Sequence, residues 1–239
     1  MDAQLLSYTQ HPEKLIATAA KVCYAPGTVD KVWHSTFAYE EFIEKLRSIG
    51  HMSPFEHANF TFGIDGISRA CSHQLVRHRI ASFSQQSQRY VKYDTDLKDM
   101  GELFVVPDPI MDSDDETFDT YYNALESIAD IYEELVQKLM ESGMDEKKAA
   151  ENARYILPNA MKTNLVMTMN ARELMHFFEL RCCRRAQEEI NTLAWSMKRL
   201  LEYKFPAIFK NTGPNCITGK CKEGKMSCGR PYQTELPGV

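Results

Sequence analysis

The chain has 239 residues, 44% hydrophobic and 26% charged, which excludes a disordered or fibrous protein and allows a sizeable core. Its 28 Lys and Arg against 33 Asp and Glu leave a net charge of −5, which argues against a general nucleic-acid binder. There is no apolar run of about eighteen residues to span a bilayer, and no basic n-region to mark a secretory signal. The seven unevenly placed cysteines read as reduced thiols, so the expected compartment is the cytoplasm.

In chain order, helical spacing predicts helices over 12–22 and 38–49, the second closed by Gly50. His51 to His57 is a Pro-containing turn, 58–64 alternates as a strand, and 67–78 is helical. The Ser- and Gln-rich stretch 79–88 reads as a loop, 89–93 is β-prone, and 103–106 runs into Pro107 and Pro109. A long amphipathic helix is expected over 114–141, opened by acidic residues that suit the helix dipole and stopped by Gly143. Asp145 caps a further helix reaching Leu157, 163–169 suits a strand, and helices follow over 171–183 and 186–204. The expected architecture is α+β, a helix-dominated single domain over 1–212 with a small antiparallel sheet, followed by an irregular Cys-, Gly- and Pro-rich tail over 213–239.

Two stretches concentrate chemistry. From Gly66 to Tyr93 there is no Asp or Glu, yet Arg69, Arg77, Arg79, Arg89 and Lys92 fall there, interleaved with Ser82, Ser84 and Ser87. Guanidinium forks pair bidentately with phosphate while hydroxyls and loop N–H groups fill its remaining acceptor positions. A solvated basic face with acidic neighbours is the other reading. In the second stretch, Arg172, His176 and Glu179 share one helical face and suggest a surface salt-bridge ladder. Arg181 instead lies on the side of Phe177 and Phe178, where a guanidinium needs an anionic or hydrogen-bonding partner; a structural carboxylate is the simplest one. Helical geometry does not bring Arg172 and Arg181 together.

Metal signals are weak. His51, Glu56 and His57 match no ligand spacing, and the tail's Cys216, Cys221 and Cys228, spaced C-x4-C-x6-C, lack a fourth ligand. No GxGxxG turn, Walker A loop or G-x-S-x-G elbow is present, so any nucleotide site lies outside a Rossmann framework.

The segment Arg77-His78-Arg79-Ile80-Ala81-Ser82-Phe83-Ser84-Gln85-Gln86-Ser87-Gln88-Arg89-Tyr90 resembles the RHRxxSxxxxSxRY signature of flavin-dependent thymidylate synthases and meets every fixed position of it. HMSPFEH at 51–57, the Arg154 to Pro158 segment, Asn170-Ala171-Arg172 and Leu180-Arg181 extend the resemblance over most of 15–205. The resemblance implies conversion of dUMP to dTMP with FAD as cofactor, 5,10-methylenetetrahydrofolate as one-carbon donor and NADPH as reductant. It implies a homotetramer with active sites shared between subunits, and no nucleic-acid, membrane or metal partner.

By resemblance, Ser53, Arg77, His78, Arg79, Asn170 and Arg172 contact FAD, with His51, Glu56, Gln85 and His176 beside it. Gln74, Arg77, Gln85, Gln86, Ser87, Gln88, Arg89, Arg154 and Arg181 contact dUMP, with Ser87 and Arg89 on its phosphate. Arg181 takes the main catalytic role. His176 stands where some members carry Asn, Cys23 where some carry Ser, and Gln85 where an acid can occur.

Overall fold

A computed structural model describes residues 1–35, 38–91 and 100–232. Strand β1 (Asp2–Tyr8) leads to helix α1 (Pro12–Val22), whose first residue is a proline, placed where its missing N–H has no helical partner to lose. The short α2 (Val29–Trp33) is capped by Thr28, whose hydroxyl accepts from the Lys31 N–H at 3.4 Å. Helix α3 (Tyr39–Ser48), a 3₁₀ turn (Ser53–His57), β2 (Asn59–Ser68), α4 (Arg69–Leu75) and β3 (Ala81–Gln85) follow.

After the short α5 (Met100–Leu103) and α6 (Asp108–Met111), α7 (Asp115–Glu141) and α8 (Glu146–Ala153) form a hairpin, each opened by an aspartate cap, Asp114 and Asp145. A 3₁₀ turn (Arg154–Ile156) leads to β4 (Lys162–Asn170), then α9 (Ala171–Arg181), α10 (Glu188–Lys204) and α11 (Pro206–Phe209). The tail carries two 3₁₀ turns, Asn215–Ile217 and Gly224–Met226. The sheet runs β1-β2-β4-β3, a small antiparallel sheet in a helix-dominated α+β chain.

Where sequence and structure differ, the sheet edges are responsible. Residues 81–85 are a strand rather than loop, pairing beside β4 with alternating half-buried and exposed side chains. The opposite edge, β1, buries only Ala3 among its seven residues and so carries almost no apolar period. The expected β stretch at 89–93 is instead a turn through Tyr90, with Lys92 and Tyr93 outside the described residues, and 103–106 joins a helical turn to a single bridge at Phe104.

The described residues fall into two compact units. One comprises Met1, 65–75 and 84–165; its cores gather Leu103, Phe104, Leu125 and Met161 in one cluster, and Tyr132, Val136, Ala149 and Ala153 in another. Here Asn164 on β4 takes the Gly66 N–H on its side chain and the Gln86 N–H on its backbone carbonyl, both at 2.9 Å. Gly66 has φ +69°, which an L side chain adopts only with strain. The other unit comprises 2–64, 76–83 and the chain from Val166 onward. Its core holds an aromatic cluster in which Phe60 meets Phe205 and Phe209 edge-on, each at 5.3 Å.

Candidate functional site

The unit built around 84–165 holds the loop leaving β3. Ser87 organises it: its carbonyl accepts from the Tyr90 and Val91 N–H groups, and its hydroxyl accepts from the Arg89 N–H at 3.2 Å. These short-range bonds close a turn that aims Arg89 and Tyr90 outward. The Arg89 guanidinium meets Glu151 of α8 at 3.1 Å and lies 5.9 Å from the Tyr90 ring. Lys147, one turn before Glu151, donates to the Tyr90 hydroxyl at 3.1 Å; that bond and its charge hold the phenol below its ordinary range. Gln85 donates from its amide nitrogen to the Thr163 hydroxyl at 3.2 Å, which leaves its carbonyl oxygen to accept from another group. Gln74 on α4, Gln86, Gln88 and Arg154 in its 3₁₀ turn are all half-buried.

In the other unit the Arg77-His78-Arg79 tripeptide alternates: both arginines are exposed and His78 is 5% exposed. The His78 ring lies 5.0 Å from Phe177 and makes two polar contacts, each at 3.2 Å: Nδ1 to the Glu173 carboxylate and Nε2 to the Arg181 Nε–H. Because Arg181 can only donate, Nε2 must accept and Nδ1 must carry the proton. Burial, then the charge of Arg181, then that of His176, push the His78 pKa from 6.5 down to about 4. Burial also raises the Glu173 carboxyl. A neutral imidazole therefore links a buried carboxylate to a half-buried guanidinium.

The carboxylate expected beside Arg181 is absent among the described residues, and His78 fills that place. The expected ladder from Arg172 to Glu179 does not form either. Arg172 pairs with Glu56 at 2.5 Å, whereas Glu179 accepts from Asn215 at 2.5 Å and meets Lys222 at 3.5 Å. All three partners lie far away in sequence, so helix periodicity could not reveal them. Asn170 caps α9, its side-chain oxygen accepting from the Glu173 N–H at 2.9 Å, and Ala171 ties that start to Ala58. Ser53 opens its 3₁₀ turn on the surface, His51 lies edge-on to Tyr24, and His176 is exposed 6.1 Å from His78. Cys23 is exposed and donates weakly to Ala19.

The two residue sets expected from the sequence sort almost cleanly by unit. His51, Ser53, Glu56, Arg77, His78, Arg79, Asn170, Arg172, His176 and Arg181 all belong to the unit containing α9. Gln74, Gln85, Gln86, Ser87, Gln88, Arg89 and Arg154 belong to the other. Sequence reasoning missed Glu173 and Glu151. An Arg-His-Arg run needs something to meet its buried imidazole, but nothing in the spacing names residue 173. Among the described residues no three His, Cys, Asp or Glu side chains are drawn together to hold a metal ion, and no helix is long and apolar enough to cross a membrane.

A helix-dominated chain with a small sheet, a basic serine loop and an arginine steadied by a neutral histidine has clear relatives. The chain belongs to the family described as thymidylate synthase complementing protein, whose profile matches residues 4–207. It is 48% identical over 237 residues to a flavin-dependent thymidylate synthase of Geobacter sulfurreducens, covering 98% of this chain and 97% of that protein. It is 46% identical to one of Clostridium tetani, covering 95% and 92% respectively. The solved flavin-dependent thymidylate synthase ThyX of Helicobacter pylori, complexed with FAD and dUMP, matches with a TM-score of 0.67 at 26% identity, over 89% of this chain and 100% of that one. A UMP/dUMP methylase, PolB of Streptomyces cacaoi, bound with 5-Br dUMP, matches at a TM-score of 0.69 and 25% identity, over 87% and 93%.

Proposed function

We propose that the chain is an FAD-dependent thymidylate synthase that converts dUMP to dTMP, taking its one-carbon unit from 5,10-methylenetetrahydrofolate and using NADPH as reductant. The observation that carries this reading is Arg181, a half-buried cation whose Nε rests on a neutral imidazole and which meets no carboxylate among the described residues. Its charge is left uncancelled for a group that becomes anionic during reaction. The relatives solved with FAD and dUMP support the same reading.

The donor set fits an anionic dinucleotide. Arg77 and Arg79 are exposed and meet no carboxylate among the described residues, which suits a pyrophosphate. Asn170 uses its oxygen as a helix cap and so keeps its amide N–H groups to donate. Ser53 offers a hydroxyl, and the Arg172–Glu56 pair offers both a donor fork and an acceptor. When bound and reduced, FAD supplies the hydride.

The remaining roles belong to dUMP. Ser87 and Arg89 hold its phosphate, Arg89 exchanging Glu151 for the dianion. That exposed ion pair is worth at most about 1 kcal/mol, so a phosphate can displace it. Gln85 keeps its carbonyl oxygen for a base N–H. Arg181 stabilises negative charge as the uracil N3–H ionises or an enolate develops, which makes C5 nucleophilic toward the methylene group. Ser87 has no adjacent base and acts as a ligand, not an attacking group. We extend the reading to a cytoplasmic homotetramer, in keeping with the family resemblance of the 77–90 segment. Anaerobic mixtures of protein, dUMP, methylenetetrahydrofolate and NADPH should yield dTMP with FAD and none without it. A colourless protein that forms no dTMP under these conditions overturns the reading.

A further inference from the structure

Four of the seven cysteines line one small cavity in the unit containing α9, and none of the residues assigned to catalysis is part of its wall. Cys183, two residues past Arg181 at the end of α9, shares its wall with Cys216, Cys221 and Cys228 of the tail. The sequence supplies three thiols spaced C-x4-C-x6-C; the fold supplies the fourth, from a position some thirty residues earlier in the chain. None is in a disulfide, and Cys228 has only a weak 3.6 Å contact to the Arg230 carbonyl.

We propose that Cys183, Cys216, Cys221 and Cys228 form a tetrathiolate site for a single zinc ion that ties the tail to the end of α9. Four soft sulfur donors and no imidazole select a thiolate-preferring metal, and a closed tetrahedral set suits a structural ion. The cavity is small, about 30 Å³, which suits an ion better than an organic ligand. Charge agrees. Zinc with four thiolates carries two negative charges, and the cavity wall holds Arg184, Arg185, Lys222 and Arg230 against Glu179 and Glu223, a surplus of two positive.

The thiols are not yet grouped at coordinating distance. Cys221 and Cys228 are exposed, in a stretch punctuated by Gly224 and Gly229 at positive φ, so the ion draws the tail sulfurs inward as it binds. The step is ligand exchange: the aqua ion's zinc–water bonds break and the waters leave with four S–H protons to solvent, four zinc–sulfur bonds form, and nothing is oxidised or reduced.

The test uses the full-length flavoprotein. Anaerobically purified protein should contain one zinc per chain. Exchange with cobalt(II) should give the charge-transfer and ligand-field absorption of a tetrahedral tetrathiolate, read as a difference against the zinc form so that flavin absorbance cancels. Titrating the thiols with a mercurial should release the ion in step with four of them, and this needs no variant. The double variant Cys216→Ser/Cys228→Ser, and separately Cys183→Ser, should lower zinc affinity by at least about 100-fold. Cys23→Ser, outside the cavity, should keep one zinc. Protein without stoichiometric metal that gives no tetrahedral cobalt spectrum overturns the proposal. So does iron with acid-labile sulfide, a tail disulfide in place of metal, or an unchanged cobalt spectrum in Cys183→Ser.

Discussion

Two arginines on opposite sides of the chain's division into units meet their neighbours in opposite ways. Arg89, in the loop after β3, is exposed and paired with the Glu151 carboxylate. Arg181, at the end of α9, is half-buried and leans on His78, which carries no charge. An ion pair parks a cation and releases it when a stronger anion arrives. A neutral hydrogen-bond acceptor fixes a cation's direction without cancelling its field. The first arrangement suits binding a preformed phosphate, and the second suits stabilising charge that exists only in a transition state.

If the contrast holds, the largest effect belongs to Arg181→Ala, which should lower the rate of dTMP formation by about 10²–10³ while bound FAD, read by its absorbance, stays. Near-normal turnover would remove Arg181 from the chemistry. Next comes Arg89→Ala, expected to weaken dUMP binding by roughly tenfold to a hundredfold, the worth of one charge-assisted contact; calorimetry showing an unchanged dissociation constant would end its phosphate role.

The neutrality of His78 is tested by pH. With its folded pKa depressed to about 4 from 6.5, its stability contribution is complete above pH 6.5 and is lost as pH falls through that window. The burial-raised Glu173 carboxyl works in the opposite direction, so the informative quantity is a difference. Between pH 6.5 and 4, Tm should fall less steeply in His78→Gln than in the parent protein. Equal slopes in thermal melts, or an imidazole titrating near 6.5 by NMR, would break the claim. The smallest effect is Glu151→Gln, which should tighten dUMP binding about twofold to fivefold by leaving Arg89 unparked. Weaker binding would mean that Glu151 helps to hold the nucleotide.

The central strands β2 and β4 were legible because each sends alternate apolar residues into a core. The edges β1 and β3 were not, since an edge with one half-wet face needs little apolar period. The Asp145 cap and the acidic opening of the 114–141 helix announced helices that begin where expected. For the site, the basic 66–93 stretch and the Arg-His-Arg run stood out by composition. Their partners did not: Glu173 lies 95 residues from His78 and Glu56 lies 116 from Arg172, separations that only the fold closes. Arg181 was noticed for a cation's misfit on an apolar face, and the correct partner proved to be an imidazole.

The in-and-out alternation at 77–79 also governs which changes the chain can absorb. Swapping one side chain alters one contact, but deleting Arg77 or inserting a residue before it would bring one guanidinium to the buried place beside Phe177 and put the imidazole in water. Unpaired cations in such a place are far costlier than an exposed ring. The reading frame of this tripeptide is therefore guarded by solvation as well as by any molecule it grips.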